Sequence, residues 1–89
     1  MTFKKFVEEN LMSVDKTVKH KKGSNFYDTY SLKRGFFYRH GLTPEKHATR
    51  IEDQFKELGV EYELLDCYED WNAWPKDSWM VAKFKIIKF

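Results

Sequence analysis

"VEYELLDCYEDWNAWPKDSWMVAKFKII", residues 60 to 87, is the stretch on which the fold turns. Val60, Tyr62 and Leu64 alternate with Glu61, Glu63 and Leu65, and Met80, Ala82, Phe84 and Ile86 alternate with Trp79, Val81, Lys83, Lys85 and Ile87. A period of two sends successive side chains to opposite faces, so both runs read as strands. Paired antiparallel, one register sets Val60 opposite Ile86, Tyr62 opposite Phe84 and Leu64 opposite Ala82 on a buried face. The same register sets Glu61 against Lys85 and Glu63 against Lys83 on the other face, pairs worth only ~0.2–1 kcal/mol each. It continues into Leu65 opposite Val81 and Cys67 opposite Trp79, so that second face is ionic at one end and apolar at the other. The apolar end needs cover from the N-terminal helix, the loop 68 to 78, or an external partner.

The segment feeding the first strand predicts a helix over 43 to 58. Thr43 is a good N-cap, Pro44 suits the first helical position, Glu45 complements the positive end of the dipole and Gly59 supplies the stop. Ala48, Ile51, Phe55 and Leu58 form its apolar stripe, which covers the Tyr62/Phe84 face. Farther back, Phe26 to Leu32 and Gly35 to Arg39 are dense in Phe and Tyr, which favours an aromatic hairpin bending at Lys33-Arg34-Gly35. Phe26, Tyr30, Lys33 and Phe37 also recur at helical intervals, so a helix through this region stays open. Residues 15 to 25, poor in apolar side chains and ending in Gly23-Ser24-Asn25, read as a basic loop. Phe3, Phe6, Val7 and Leu11 predict an amphipathic helix over 3 to 13. The expectation is an α+β fold: N-terminal helix, aromatic β-hairpin, capped helix and C-terminal antiparallel β-hairpin, with the capped helix on one sheet face.

Eighty-nine residues suit one domain, 1 to 89, with one core. A single cysteine, Cys67, allows no internal disulfide, which points to a reducing, cytoplasmic setting. Lys4, Lys5, Glu8 and Glu9 interrupt the N-terminus, so it does not read as a signal peptide, and no apolar run is long enough to cross a bilayer. Charge is uneven: residues 1 to 50 hold eleven Lys/Arg against five Asp/Glu (+6), residues 51 to 89 five against nine (−4). Such asymmetry steers a charged partner to one side.

Arg39-His40-Gly41 followed by Thr43 resembles the start of the catalytic loop of the histidine phosphatases. That chemistry implies a second histidine and distant arginines in a much larger domain, and no histidine follows His47. The run reads instead as strand, turn and helix cap. His20, His40, His47 and Cys67 match no compact zinc spacing, and Glu52-Asp53 and Glu69-Asp70 are adjacent pairs whose members diverge rather than form an acid–base couple. Neither a metal nor a cofactor is implied, and no catalytic constellation is readable.

Two surfaces remain. The loop 68 to 79 sets Trp71, Trp74 and Trp79 among Glu69, Asp70 and Asp77. Tryptophans in an acidic rim resemble a protein-binding hot spot, and the leading expectation is a non-enzymatic interaction module, a regulator or inhibitor of a larger protein, using Trp71, Trp74, Glu69, Asp70 and Asp77. Against it stands the reading that the rings fold back as a small second core. The alternative function is nucleic-acid binding through Lys19, Lys21, Lys22, Lys33, Arg34 and Arg39, with Phe26, Tyr27 and Tyr30 as stacking neighbours. Arg34-Gly35-Phe36 resembles the opening of an RNA-recognition-motif strand, but Phe37 stands where that pattern takes Gly or Ala. Alternation leaves the oligomeric state open.

Overall fold

A computed structural model describes residues 2–11, 16–21, 23–33, 41, 43–71 and 78–88. The chain runs α1 (Phe3–Asn10), β1 (Lys16–His20), β2 (Phe26–Lys33), α2 (Pro44–Leu58), β3 (Glu61–Asp70) and β4 (Ser78–Lys88). The four strands form one antiparallel sheet in the order β1-β2-β4-β3. Fold class is α+β, as its sequence implies.

α2 forms where its caps place it. The Thr43 hydroxyl accepts from the Lys46 amide at 3.2 Å, and Pro44 opens the helix. Gly59 takes φ +71°, a left-handed conformation that lets its own amide and that of Val60 return to the carbonyls of Lys56 and Phe55. The chain therefore leaves α2 already turned into β3. α1 is shorter than the apolar spacing suggests, ending at Asn10, whose side-chain amide bonds back to the Phe6 carbonyl at 2.8 Å.

Both helices lie on one face of the sheet. Phe55 of α2 meets Phe3 and Phe6 of α1 at ring separations of 5.8 and 5.7 Å, and Phe84 of β4 at 5.0 Å. Phe3 also packs edge-on to Tyr27 of β2 at 5.2 Å. Val18, Ala82, Ile51, Ile86 and Val60 complete this core. α1 thus shares the side of α2, and among the described residues no helix lies on the opposite face.

Three expectations need correction. The basic run 15 to 25 contains a strand: β1 pairs with β2, His20 opposite Tyr27 and Val18 opposite Thr29. β2 therefore has β1 and β4 as neighbours, not a strand at 35 to 39, a segment outside the described residues. The register of the C-terminal pair is also different. Tyr62 stands opposite Ile86 and Glu63 opposite Lys85, two residues from the expected pairing, and a bulge between Leu64 and Asp66 then leaves Leu65 unmatched. One extra residue inverts the alternation. Cys67 consequently stands opposite Ala82, not Trp79, and packs half-buried against the core, while Tyr68 takes the place opposite Val81.

The face opposite the two helices is ordered in rows. Lys19, Asp28, Lys83 and Asp66 stand side by side across the four strands, and beside them Thr17, Tyr30, Val81 and Tyr68. Lys83 Nζ bonds Asp28 Oδ2 at 3.2 Å, and that hydrogen bond holds the ammonium pKa above its ordinary value. Lys19 lies over the Tyr30 ring at 5.0 Å, and Tyr30 meets Trp79 edge-on at 6.1 Å. Thr17 and Val81 are buried here, whereas Phe26 and Ile87 are more than half exposed.

Candidate protein-interaction edge

β3 is an outer strand, and its exposure pattern departs from the half-buried alternation of a covered one. Over its ten residues it carries Glu61, Glu63, Asp66, Glu69 and Asp70 and no cation. Outer strands present unpaired backbone N–H and C=O groups, and charge and bulges are the usual means of keeping such an edge from indiscriminate pairing. Among the acids sit exposed apolar side chains, Leu64, Leu65 and Tyr68. Leu65 falls at the bulge, between the paired Leu64 and Asp66.

The strand delivers Trp71. At 67% exposure it is the most open large apolar side chain among the described residues. Its neighbours are fixed: the Ser78 hydroxyl donates to Glu69 Oε1 at 2.7 Å, and Asp70 stands opposite Trp79. Glu69 and Asp70 accordingly belong to a strand, not to a loop, which is shorter than the sequence suggests. Trp79 is half-buried against Tyr30 and so differs from Trp71. Trp74 and Asp77 lie outside the described residues. The acids that sequence reading did not assign to this surface are Glu61, Glu63 and Asp66; their signal is a strand-length run of carboxylates with no Lys or Arg among them.

The other outer strand is basic. Lys19 and Lys21 are exposed and, with His20, Ser24, Phe26 and Asp28, line an open groove along the β1–β2 hairpin. His20 stacks on Tyr27 at 4.3 Å and its Nε2 sits 3.0 Å from the Ser24 carbonyl, which fixes the ring to the hairpin. Lys33 ends β2, with its backbone opposite Ser78. Lys22, Arg34 and Arg39 lie outside the described residues, as does His40.

Burial and neighbouring carboxylates act on two titratable groups of β3. Burial, with Glu45, Asp66 and Glu52 nearby, pushes the Cys67 thiol above its ordinary pKa, away from the thiolate needed for nucleophilic work. Tyr62 donates to Glu52 at 2.7 Å, and burial together with that bond pushes its pKa up to about 12. His47 is buried on Thr29, far in role from His20 at the hairpin, and no cluster of three or more His, Cys, Asp or Glu able to hold a metal exists among the described residues. No described helix is long and apolar enough to cross a membrane.

Comparison with protein-family models, curated proteins and solved structures finds no match for this chain.

Proposed function

We propose that the protein is a non-enzymatic interaction module that captures a larger, basic protein partner along β3 and Trp71. One observation carries the reading: an outer strand with five carboxylates and no cation leads directly into a tryptophan at 67% exposure. The carboxylates supply long-range attraction and orientation, and the indole supplies an anchor that becomes buried only on binding. The backbone edge adds a means of holding an extended segment of the partner as a further strand. A regulator or inhibitor of a larger protein would use such a surface, in a reducing, cytoplasmic setting that suits the single cysteine.

The test is affinity capture from the native cell with Trp71→Ala and Glu63→Gln as controls. Loss of a hot-spot anchor is worth about 2 kcal/mol or more, so Trp71→Ala should weaken capture roughly thirtyfold. Its thermal unfolding should be nearly unchanged, because the ring is mostly in water already. Capture that survives Trp71→Ala, or a matching fall in stability, would remove Trp71 from the surface.

A second reading has its own observation: Lys19, Lys21 and the exposed ring of Phe26 share one groove, as a phosphate and a stacked base require. Asp28 in the same groove opposes it, since a carboxylate repels phosphate. Oligonucleotide titration decides: single-stranded binding that falls steeply with salt would favour this groove, and no binding at low salt removes it.

A further inference from the structure

The two outer strands of the sheet are complementary to each other. β1 carries Lys16 and Lys19 and runs into Lys21; β3 carries five carboxylates and no cation. Pairing β3 with β3 of another molecule would set carboxylate against carboxylate, and β1 with β1 would set lysine against lysine, each destabilising when directly opposed. Only the mixed pairing, β1 against β3, brings opposite charges together.

Strand direction permits it. Three successive antiparallel steps separate β1 from β3, so the two run in opposite directions. A second molecule displaced sideways in the plane of the sheet therefore offers its β1 antiparallel to the first molecule's β3, with helices on the same side. Length agrees as well. Beyond the bulge at Leu65 β3 is regular from Asp66 to Asp70, long enough to receive four of the five residues of β1.

The rows then fix the register. With Lys19 of one molecule opposite Asp66 of the next, the series Lys19, Asp28, Lys83, Asp66 repeats across the boundary and keeps its alternation of sign. The same register sets Thr17 opposite Tyr68 and Val18 opposite Cys67, continuing the flanking rows, and sets position 16, a lysine, opposite Glu69. No other choice two residues away aligns every row.

We propose that a second copy of this chain docks its β1 edge on Asp66–Glu69 of β3, head to tail, as the continuation of one sheet. The inference rests on the reading of β3 as a docking edge and names an occupant for it. A single strand pair buries less than the roughly 1,000 Å² of a stable interface, so the contact is weak and concentration-dependent. It is heterologous, so both edges of an inner molecule are used. The chain's own basic edge thereby competes with any partner for the acidic one.

Sedimentation velocity and amide hydrogen exchange on the full chain, over rising concentration at low and high salt, test this. The expected result is reversible growth in mass, weakened at high salt, with amides within 16–19 and 66–69 gaining protection together. Asp66→Lys and Lys19→Glu should each weaken association by about fivefold or more, as replacing an attractive pair by a like pair implies. An equimolar mixture of the two, or one chain carrying both, should recover it. A chain that stays monomeric at high concentration and low salt, protection at only one edge, or no recovery in the mixture overturns the proposal. A short peptide of alternating lysine and valine separates the two ideas. If the chain does not self-associate but the peptide protects 66–69, the docking edge stands and its occupant is another molecule; if neither occurs, both readings fall.

Discussion

Phe55→Ala is expected to cost about 3–5 kcal/mol, the range for removing a buried aromatic ring from a core that cannot collapse around the gap. Phe55 is 1% exposed and is the ring that joins the layers: edge-on to Phe3, Phe6 and Phe84, and tilted against Tyr62 at 5.4 Å. The loss falls hardest on α1. Eight residues are too few to hold a helix in water unaided, and α1 buries only Phe3 and Phe6, both of which lean on Phe55. For a domain whose whole stability is on the order of 5–15 kcal/mol, this single change should remove a large share of it. Urea unfolding followed by circular dichroism gives the value. Phe55→Leu, which keeps most of the volume, should cost about 1.5 kcal/mol or less. A loss that small for the alanine variant would mean that α1 and the sheet do not meet at this ring.

Legibility in the sequence followed the range of the interactions. α2 could be read because its signals are local: Thr43, Pro44, Glu45 and Gly59 each act within a turn of the helix end. The alternation of β3 and β4 is also local, and it revealed two strands that do pair. Their register was not readable, because counting by twos assumes an unbroken ladder. The adjacent Leu64 and Leu65 are the trace left by the bulge, two apolar residues in succession where alternation calls for one. An error of two residues preserves faces, so Tyr62 still touches Phe84 at 5.8 Å although Ile86 is its partner. The bulge does not preserve them, and Cys67 changes sides.

β1 was hidden for a different reason. Its only aliphatic side chain is Val18, set in a run of lysines, and it is a strand because β2 lies beside it. The site divides along the same line. Trp71 was recognisable as a large apolar residue in a polar neighbourhood. That Glu61, Glu63 and Asp66 belong with it was not, since their meaning depends on β3 being outermost, and strand order is settled by β4 pairing with β2 as well as with β3. An acid in a central strand and an acid on an edge look alike in a sequence.

The second large effect is expected at the polar group inside the core. Thr29 is fully buried in the middle of the sheet, and its hydroxyl donates to the Ala82 carbonyl at 3.0 Å. With that proton committed, the oxygen can only accept from His47, whose Nε2 lies 3.1 Å away and also 3.2 Å from the Thr29 carbonyl. The hydrogen-bond pattern therefore assigns the proton of the imidazole to Nε2. Thr29→Val keeps the shape and strips the hydroxyl, leaving the Ala82 carbonyl without this donor and the imidazole with a poorer acceptor set. A buried group deprived of its partner costs about 1–3 kcal/mol, and Thr29→Val should fall in that range. His47→Leu should be comparable. Removing both partners is a different matter, because an apolar pair leaves fewer stranded polar atoms. The double variant should therefore lose less than the two single losses together, with a coupling of about 1 kcal/mol or more in a cycle of four urea titrations. Strict additivity would show that hydroxyl and imidazole do not act as a unit, and that α2 is held to β2 by its apolar stripe alone.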